Sequence, residues 1–404
     1  MYTVIKHSII FCAFLLVSLL IPAIAKAQIE PEIKLVSAST VTVTSKILNE
    51  KRKIYIYTPP ADSANINKHY PVLYVLDADN HFGMMAEFCR YLSHWNVDEI
   101  PEMIVVGIVN TDRRRDLTPS HSIYDYSGKP DTSSTSLLKS SGGNEQFFQF
   151  IKQELIPFIN LTCKTQPFKI FAGHSFGGIT VVNCLLTHPD MFNAYMAVSP
   201  SFWWDRRYLL KLADKKLEQG STLNKKLFYS DGNEGVAFHT DLLKFDSLLS
   251  KKKILGLDHK YSHYPDDTHM TEPPKAYYDG LRFIFKEWPM LLQDNSQIKA
   301  STFTKHYQQL SQLYGYTILP NEITINTFAS YLILDATTQD NAIGLFEMNT
   351  VNYPRSSNAF TSLGDAWVTK GVKEKAIACY KKALELKPSA TNITDKIKAL
   401  KNKK

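Results

Sequence analysis

Cysteine is scarce in this sequence, with five residues among 404, and no two of them form a Cys-x-x-Cys pair. Cysteines scattered in this way argue against a zinc site built from thiolates. Neither sign of charge dominates, because the formal net charge is only +7. No stretch combines basic and aromatic residues in the manner of a nucleic-acid-binding surface. A thiolate metal centre and a nucleic-acid partner are therefore not expected.

Long apolar runs are also scarce, and the clearest one extends from Ile9 to Leu20. Lys6 precedes this run, and the small residues Ala25 and Ala27 follow it. This order is typical of a secretory signal peptide, which predicts removal of residues 1–27 and a periplasmic or secreted mature protein. The run is short for a transmembrane helix, so we expect no stable membrane span after cleavage. An uncleaved membrane anchor is the alternative.

The rest of the chain reads as globular material, since 44% of all residues are hydrophobic and 21% are charged. Its length suggests two domains. Segments with the apolar or alternating pattern of β-strands alternate along the chain with segments of helical pattern. This order predicts an α/β domain over residues 28–290 with a mostly parallel, doubly wound sheet. The predicted strands are 41–44, 54–57, 72–76, 103–108, 168–172, 195–199 and 226–230, and a helix is predicted over 147–159.

The sequence after residue 290 is helical in pattern and contains an internal repeat. Three positions recur at a spacing of 34 residues, which is the period of tetratricopeptide repeats. They are Ala342, Phe346 and Pro354 in the earlier copy and Ala376, Tyr380 and Pro388 in the later copy. This pattern predicts a small all-α tetratricopeptide-like region over residues 291–404. Two copies are few for an independent solenoid, so we expect the region to lean on the α/β domain and to offer a surface for a protein partner or for self-association.

The segment Gly173-His174-Ser175-Phe176-Gly177 has the pattern Gly-x-Ser-x-Gly and lies between the predicted strand 168–172 and an apolar helical stretch. A serine at such a strand-to-helix turn is the nucleophile elbow of α/β-hydrolases. The sharp turn requires small flanking residues and holds the serine hydroxyl above the sheet. We therefore predict that Ser175 is a nucleophile and that His174 is a packing residue.

A nucleophilic serine needs a base, and in α/β-hydrolases the chain order is nucleophile, acid, histidine. His269 is the predicted base because it lies in a late loop before a final helical stretch, and His263 is its competitor. The acid is expected just after the predicted strand 226–230. Asp231 and Glu234 both qualify at that position.

The oxyanion of an acyl-transfer reaction is held by backbone N–H groups. The first is expected from Phe176, directly after the nucleophile, and the second from the loop that follows the early strand 72–76. In that loop we predict the N–H of Asp79, with Asn80 as the next choice.

This chemistry needs no cofactor, and none is expected. A metal cluster of His239, His259 and His263 is conceivable, but the spacing of these histidines fits no ligand motif. We therefore predict no metal site.

Several segments together match the putative-esterase family of α/β-hydrolases, which the chain resembles over about residues 40–290. This family includes S-formylglutathione hydrolases, feruloyl esterases, siderophore esterases and mycolyltransferases. The matching segments are 45–52, 71–77, 106–119, 173–178, 199–204 and 265–269. Their arrangement is most similar to the siderophore-esterase branch, including members that carry C-terminal tetratricopeptide repeats.

The resemblance implies an α/β-hydrolase fold and a serine esterase activity. In the similar branch a Gly-x-Glu-like segment follows the late strand, which favours Glu234 over Asp231 as the acid. Many family sequences have Asp-Gly-Asp where this chain has Asp77-Ala78-Asp79. Because Ala78 replaces a glycine, the family's geometry for the oxyanion loop does not carry over directly to this chain.

Two groups of residues near the expected cleft are predicted to bind substrate. Arg113 and Arg115 belong to a basic cluster suited to an anionic or catecholate substrate, although a structural role for Arg115 is the alternative. Trp203 and Trp204 are predicted to line an acyl or aromatic pocket, with core packing as the alternative for at least one of them.

These predictions combine into an exported serine esterase that acts on a small-molecule ester through an acyl-enzyme. A siderophore lactone, a feruloyl ester and a short-chain ester all fit the sequence. Two other hypotheses stay open, namely acyl transfer to an alcohol by the same triad, and a protein-binding module that uses the repeats and keeps the hydrolase as a scaffold.

Overall fold

A computed structural model of the chain describes residues 38–60, 67–133, 135–136, 138–292, 294 and 297–402. The predicted signal peptide over residues 1–27, and its cleavage point, lie outside the described residues. Within the described ranges, no helix is both long enough and apolar enough to cross a membrane.

One sheet of eight strands organises the described structure, in the order β1-β2-β4-β3-β5-β6-β7-β8. Strands β1 and β2 pair antiparallel to each other, β2 pairs antiparallel to β4, and all the following pairs are parallel. The strands are β1 Ala38–Ser45, β2 Glu50–Tyr57, β3 Tyr70–Val75, β4 Ile104–Ile108, β5 Thr165–His174, β6 Ala194–Val198, β7 Thr222–Gly232 and β8 Leu255–Tyr264.

Helices connect the parallel strands and cover both faces of the sheet. Those within and after the sheet are α1 Ala78–Leu92, α2 Arg113–Asp116, α3 Asn144–Phe150, a π-helical turn Ile151–Leu155, α4 Ile156–Thr162, α5 Phe176–Thr187, a 3₁₀ turn Pro189–Met191, α6 Trp204–Lys216, α7 Val236–Lys252 and α8 Pro273–Ile284. The C-terminal helices are α9 Ala300–Tyr314, α10 Glu322–Leu332, α11 Gln339–Asn352, α12 Ser357–Thr369, α13 Lys373–Leu386 and α14 Thr391–Asn402.

The central strands are buried on both faces, as their continuous apolar sequences predict. Every residue of β3, β4 and β6 is buried. The predicted α/β fold with a mostly parallel sheet is therefore confirmed. Strand β8 was not among the predicted strands, because it is an edge strand of mixed polar and apolar residues that are only partly buried.

The turn between β5 and α5 depends on glycines that allow backbone segments to touch. A methyl group built on Gly173 would lie 2.6 Å from the backbone carbonyl carbon and oxygen of Gly177, which is closer than real side chains approach. A methyl group on Gly178 would lie 2.9 Å from the Cα of Pro200 and from the backbone oxygen of Val198. The glycines thus allow α5 to begin directly against the ends of β5 and β6.

The C-terminal region is all-helical, and its helices are of the repeat-like kind that the sequence predicts. Ala342 and Phe346 are buried on α11, and Ala376 and Tyr380 are buried at the equivalent positions of α13. Helices α12 and α13 lie so close that a methyl group on Gly364 would come within 2.5 Å of the Tyr380 ring. Small residues and aromatic rings therefore interlock in this region.

The apolar core continues from the sheet into the C-terminal helices without interruption. A single cluster of buried residues includes strand residues such as Ala172 and helix residues as distant as Ile393. At the junction, the ring of Tyr314 on α9 lies 5.2 Å from the rings of both Phe168 and Phe285. The predicted boundary at residue 290 thus falls inside a shared core, and it stays a prediction about sequence organisation.

We expect Gly173→Ala to destabilise the protein by several kcal/mol, because the added methyl group must displace the backbone of α5 at the turn. The matched control is Gly83→Ala on α1, where a methyl group meets nothing within 4 Å and should be neutral or stabilising by up to about 1 kcal/mol. Urea unfolding of both variants measures the difference. Equal unfolding midpoints would show that the turn tolerates a side chain.

Candidate active site

Ser175 lies at the turn between β5 and α5, in a strained backbone conformation with φ of 61° and ψ of −114°. Its N–H donates to the carbonyl of Val198 on β6 at 3.0 Å, which ties the turn to the neighbouring strand. Its Oγ lies 3.2 Å from the Oγ of Ser201. The strain is maintained by the close backbone contacts of the turn, and it presents the hydroxyl at the carboxyl end of the sheet.

His269 and Glu234 meet between two loops at the same end of the sheet. The Nδ1–H of His269 donates to Oε2 of Glu234 at 2.7 Å. The loops touch backbone to backbone, because the N–H of Asn233 donates to the carbonyl of Asp267 at 2.6 Å and a side chain on Gly232 would collide with that same carbonyl. This contact sets the distance between the acid and the histidine.

Asp231, the alternative acid, contacts a different set of groups. Its carboxylate accepts hydrogen bonds from Nδ1 of His263 and from the hydroxyl of Tyr261, both at 2.7 Å. It also accepts one from Nδ1 of His239 at 2.8 Å. The competing histidine is thus paired with the competing acid, and His269 is paired with Glu234.

Glu272 forms a third carboxyl group behind this pair, at the start of α8. Ser199 contacts Glu272 and Glu234 through one hydroxyl, which has a single proton to donate. Glu272 is fully buried, and this burial raises its pKa to about 7, with a smaller increase from the charges of Glu234 and Asp231 against the hydrogen bonds of Ser199 and Ser230. The single proton of Ser199 cannot serve two carboxylates at once. A protonated Glu272 removes this conflict, because it can donate to Ser199 while Ser199 donates to Glu234.

Ser175 and His269 line one open cavity of about 470 Å³. Its other lining residues are Asp77, Asn80, His81, Met84, Arg113, His174, Met270, Pro273 and Pro274. The cavity is large enough for an acyl or alcohol group of moderate size, and it gives solvent and ligands access to the serine and the histidine.

The two predicted oxyanion donors lie in the first turns of two helices. Phe176 is the first residue of α5 and Asp79 is the second residue of α1. The N–H groups of a first turn have no acceptor within their own helix, so they are available to an anion. The two helix starts adjoin, because a methyl group on Gly177 would lie 3.3 Å from Oδ2 of Asp77. Asn80, the next choice, lines the cavity.

Arg113 lines the cavity, and its guanidinium is paired with Asp77. Its Nε and one terminal nitrogen donate to the two carboxylate oxygens of Asp77 at 2.6 and 2.8 Å. Burial would raise the pKa of Asp77, but the hydrogen bonds and charge of Arg113 hold it below its usual value. The Arg113 guanidinium also lies 5.2 Å from the centre of the Phe176 ring. Arg113 therefore connects the start of α1 to the start of α5.

Arg115 is not among the residues that line the cavity, and its guanidinium binds carboxylates of the protein itself. It donates to both carboxylate oxygens of Glu50 at 3.0 and 2.7 Å and to Asp116 at 2.8 Å. Asp116 is also bound by the buried Arg52. Arg115 is thus part of an ion-pair network, which matches its structural alternative.

The two tryptophans differ in their surroundings. Trp204 is buried in the core, and its indole N–H donates to the carbonyl of Ser120 at 3.2 Å. Trp203 is half-buried, and its ring lies 5.8 Å from the ring of Phe176 and 6.5 Å from that of Tyr126. Trp203 is therefore the one of the pair that a ligand can reach beside the nucleophile turn.

His174 contacts the loop that carries His269. Its Nε2–H donates to the backbone carbonyl of His269 at 2.8 Å, and the two rings are 4.4 Å apart. Burial lowers the pKa of His174 to about 3, so its imidazole is neutral. This arrangement fits the packing role predicted for His174.

Three site residues were not given a role by the sequence analysis. Asp77 and Ser201 both lie in segments that match the resembled family, so their place in those segments was a usable signal. Glu272 follows His269 by three residues but has no local pattern that distinguishes it from an exposed glutamate. Only its burial beside Ser199 reveals it.

Residues 45–240 match the family model described as "Putative esterase". The chain is 35% identical over 181 residues to the ferri-bacillibactin esterase BesA of Bacillus subtilis (strain 168), which covers 41% of this chain and 60% of that protein. It is 33% identical over 150 residues to a siderophore enterobactin esterase of Emericella nidulans, which covers 34% of this chain and 48% of the relative. The alignments thus span about half to three-fifths of the length of these relatives.

A solved structure has the same fold. It is an IroE-like serine hydrolase from Shewanella oneidensis, with a TM-score of 0.69 and 28% identity, and the match covers 78% of this chain and all of the other. The predicted resemblance to the esterase family and to its siderophore-esterase branch is therefore confirmed.

We expect Glu272 to lower the stability of the protein as the pH rises from about 4.5 to about 7, because it is protonated in the folded chain over that interval and ionised in the unfolded chain. The contribution of Glu272 is fully present below its unfolded pKa and is lost through its folded pKa, by about 3 kcal/mol in all. The buried, neutral His174 has the opposite effect up to about pH 6.5, because it gains a proton on unfolding. Glu272→Gln, which cannot ionise, should therefore gain stability relative to the wild type as the pH rises through this interval.

Urea midpoints at pH 5 and pH 8 measure the effect, and the exposed Glu218→Gln serves as the matched control that keeps the wild-type profile. An unchanged pH profile in Glu272→Gln would show that Glu272 does not carry this proton.

Proposed function

We propose that this chain, whose residues 45–240 match the putative-esterase family, is a serine hydrolase that cleaves carboxylic esters through an acyl-enzyme. The observation that carries the proposal is the Glu234–His269 pair, which opens onto the same cavity as the strained Ser175. A serine, a largely buried carboxylate and a histidine, which follow one another in this order along the chain, are the parts that general-base catalysis of acyl transfer requires.

The proposed reaction begins when Ser175 Oγ attacks the ester carbonyl and passes its proton to Nε2 of His269. Glu234 accepts from Nδ1–H, which fixes the tautomer and stabilises the imidazolium. In the resting arrangement Ser175 Oγ lies against Ser201, so the hydroxyl must turn from Ser201 towards His269 for this step. The N–H groups of Phe176 and Asp79 stabilise the oxyanion.

The tetrahedral intermediate then collapses, the C–O bond to the alcohol breaks, and His269 returns the proton to the leaving oxygen. Water attacks the acyl-enzyme with His269 again as the base, and this step releases the acid and restores Ser175. His269 thus accepts a proton in each attack step and donates it in each collapse step, to the alcohol first and to Ser175 Oγ last, and the same oxyanion donors serve both intermediates.

We further propose that the natural substrate is a siderophore-type ester. The support is the similarity of the chain to a ferri-bacillibactin esterase and to a siderophore enterobactin esterase. The Arg113 guanidinium and the Trp203 ring lie 5.2 and 5.8 Å from the centre of the Phe176 ring, and they provide a cation and an aromatic ring suited to a catecholate ligand. The proposed site of action is outside the cytoplasm, which rests on the sequence of residues 1–27 alone.

Ser175→Ala is expected to lower kcat by roughly 10⁴-fold or more for short p-nitrophenyl esters and for a catecholate trilactone, because it removes the nucleophile. The surface Ser221→Ala is the control and should keep wild-type kcat. Equal activity of Ser175→Ala and the wild type would contradict the mechanism. Hydrolysis of p-nitrophenyl esters without any cleavage of the trilactone would contradict the substrate proposal alone.

Glu234→Gln is expected to lower kcat by about 10³- to 10⁴-fold, because an amide does not stabilise the His269 imidazolium. Asp231→Asn should lose far less, since Asp231 contacts His263 and His239 and not His269. The ratio of the two kcat values decides which carboxylate is the acid. A larger loss in Asp231→Asn would assign the acid to Asp231.

A further inference from the structure

Three potential metal ligands converge beside the proposed triad, on elements that the triad does not use. Asp231 is the penultimate residue of β7, His263 lies directly opposite it on β8, and His239 lies in the first turn of α7. One ligand atom from each of these three residues lies within 4.8 Å of the others. We propose that Asp231, His239 and His263 bind a divalent transition-metal ion, with Zn²⁺ as the reference ion.

The donor types suit such an ion. Two imidazole nitrogens and one carboxylate oxygen are ligands that Zn²⁺ and its first-row neighbours accept, at bond lengths of about 2.0–2.2 Å. Ligand atoms around a tetrahedral ion of that size are about 3.3 Å apart. Oδ1 of Asp231 lies 2.7 Å from Nδ1 of His263 and Oδ2 lies 2.8 Å from Nδ1 of His239, so each of these two distances needs to open by only about half an ångström.

The surroundings favour a cation at this position. The Asp231 carboxylate is buried, and in the described part of the chain its ion pairs are to these two histidines rather than to a lysine or an arginine. A buried carboxylate that lacks a permanent cation gains from a bound ion. The two histidine side chains are about one-third exposed, which leaves a path by which an ion can enter.

Tyr261 completes the site from the same strand as His263. Its hydroxyl donates to Oδ1 of Asp231 at 2.7 Å and lies 3.3 Å from Nδ1 of His239. A hydrogen bond to a ligating carboxylate fixes its orientation, as is usual for the groups that surround a metal site. The imidazole rings of His239 and His263 are also neighbours, with their centres 4.5 Å apart.

The metal-free cluster is already satisfied by its hydrogen bonds, so an ion must replace them. Both histidines then carry their proton on Nε2 and turn the lone pair of Nδ1 to the metal. The free energy of metal binding is therefore less favourable than for ligands that have no hydrogen bonds to give up, and we expect micromolar affinity. The bound ion would join β7, β8 and α7 and so hold the loop that leads from Asp231 to Glu234. The proposal does not rest on the esterase activity.

The test uses the full chain, stripped with a chelator and titrated with Zn²⁺ alone by calorimetry. We expect one ion per chain, and His239→Ala and His263→Ala should each weaken it about tenfold or more, which is about 1.4 kcal/mol. His259→Ala is the matched control, because His259 lies on the same strand but outside the three-ligand group. It should bind as the wild type does.

Two further readouts separate a built site from loose surface binding. Co²⁺ in place of Zn²⁺ should give the strong visible absorption of a four-coordinate ion, and saturating Zn²⁺ should raise the Tm of the wild type by a few degrees but not that of His263→Ala. Failure of the wild type to bind one Zn²⁺ would overturn the proposal whatever the variants do. Equal binding by wild type, His239→Ala and His263→Ala would also overturn it.

Discussion

The close backbone contact between Gly173 and Gly177 is the constraint on which the rest of the site depends. It forces Ser175 into a conformation that side-chain-bearing residues avoid, and it lets α5 start immediately after β5. The start of α5 then lies beside the start of α1, and these two helix starts carry Phe176 and Asp79, the two proposed oxyanion donors. A wider turn would separate these two helix starts.

A second contact of the same kind positions His269, the proposed base. Gly232 at the end of β7 has no room for a side chain because the carbonyl of Asp267 occupies that space. The two loops are therefore held together by their backbones. This contact places Glu234 and His269 within hydrogen-bonding distance of each other. Behind them, Ser199 and the protonated Glu272 hold the second oxygen of Glu234, and this layer of buried polar groups fixes the orientation of the acid.

The C-terminal helices belong to the same core as the sheet. Tyr314 packs against aromatic rings that also cover strand β5, and its hydroxyl donates to the carbonyl of Ile284 at 3.2 Å. Removing these helices would expose the aromatic surface at the junction. This continuity favours a bracing role for the helical region, in addition to any partner that its repeat-like surface binds.

Local patterns determined much of the fold, because alternation, apolar runs and glycine spacing act over a few residues. They identified the central strands, the turn at Ser175, the loop of His269 and the helical repeat. They missed strand β8, whose mixed edge sequence lacks a clear period, and they did not separate Asp231 from Glu234, which only the family resemblance favoured. Only the tertiary structure paired Glu234 with His269 and buried Glu272, since these contacts join segments that are 35 and 73 residues apart. Such contacts depend on how strands are ordered in the sheet, and no local pattern in a single chain records that order.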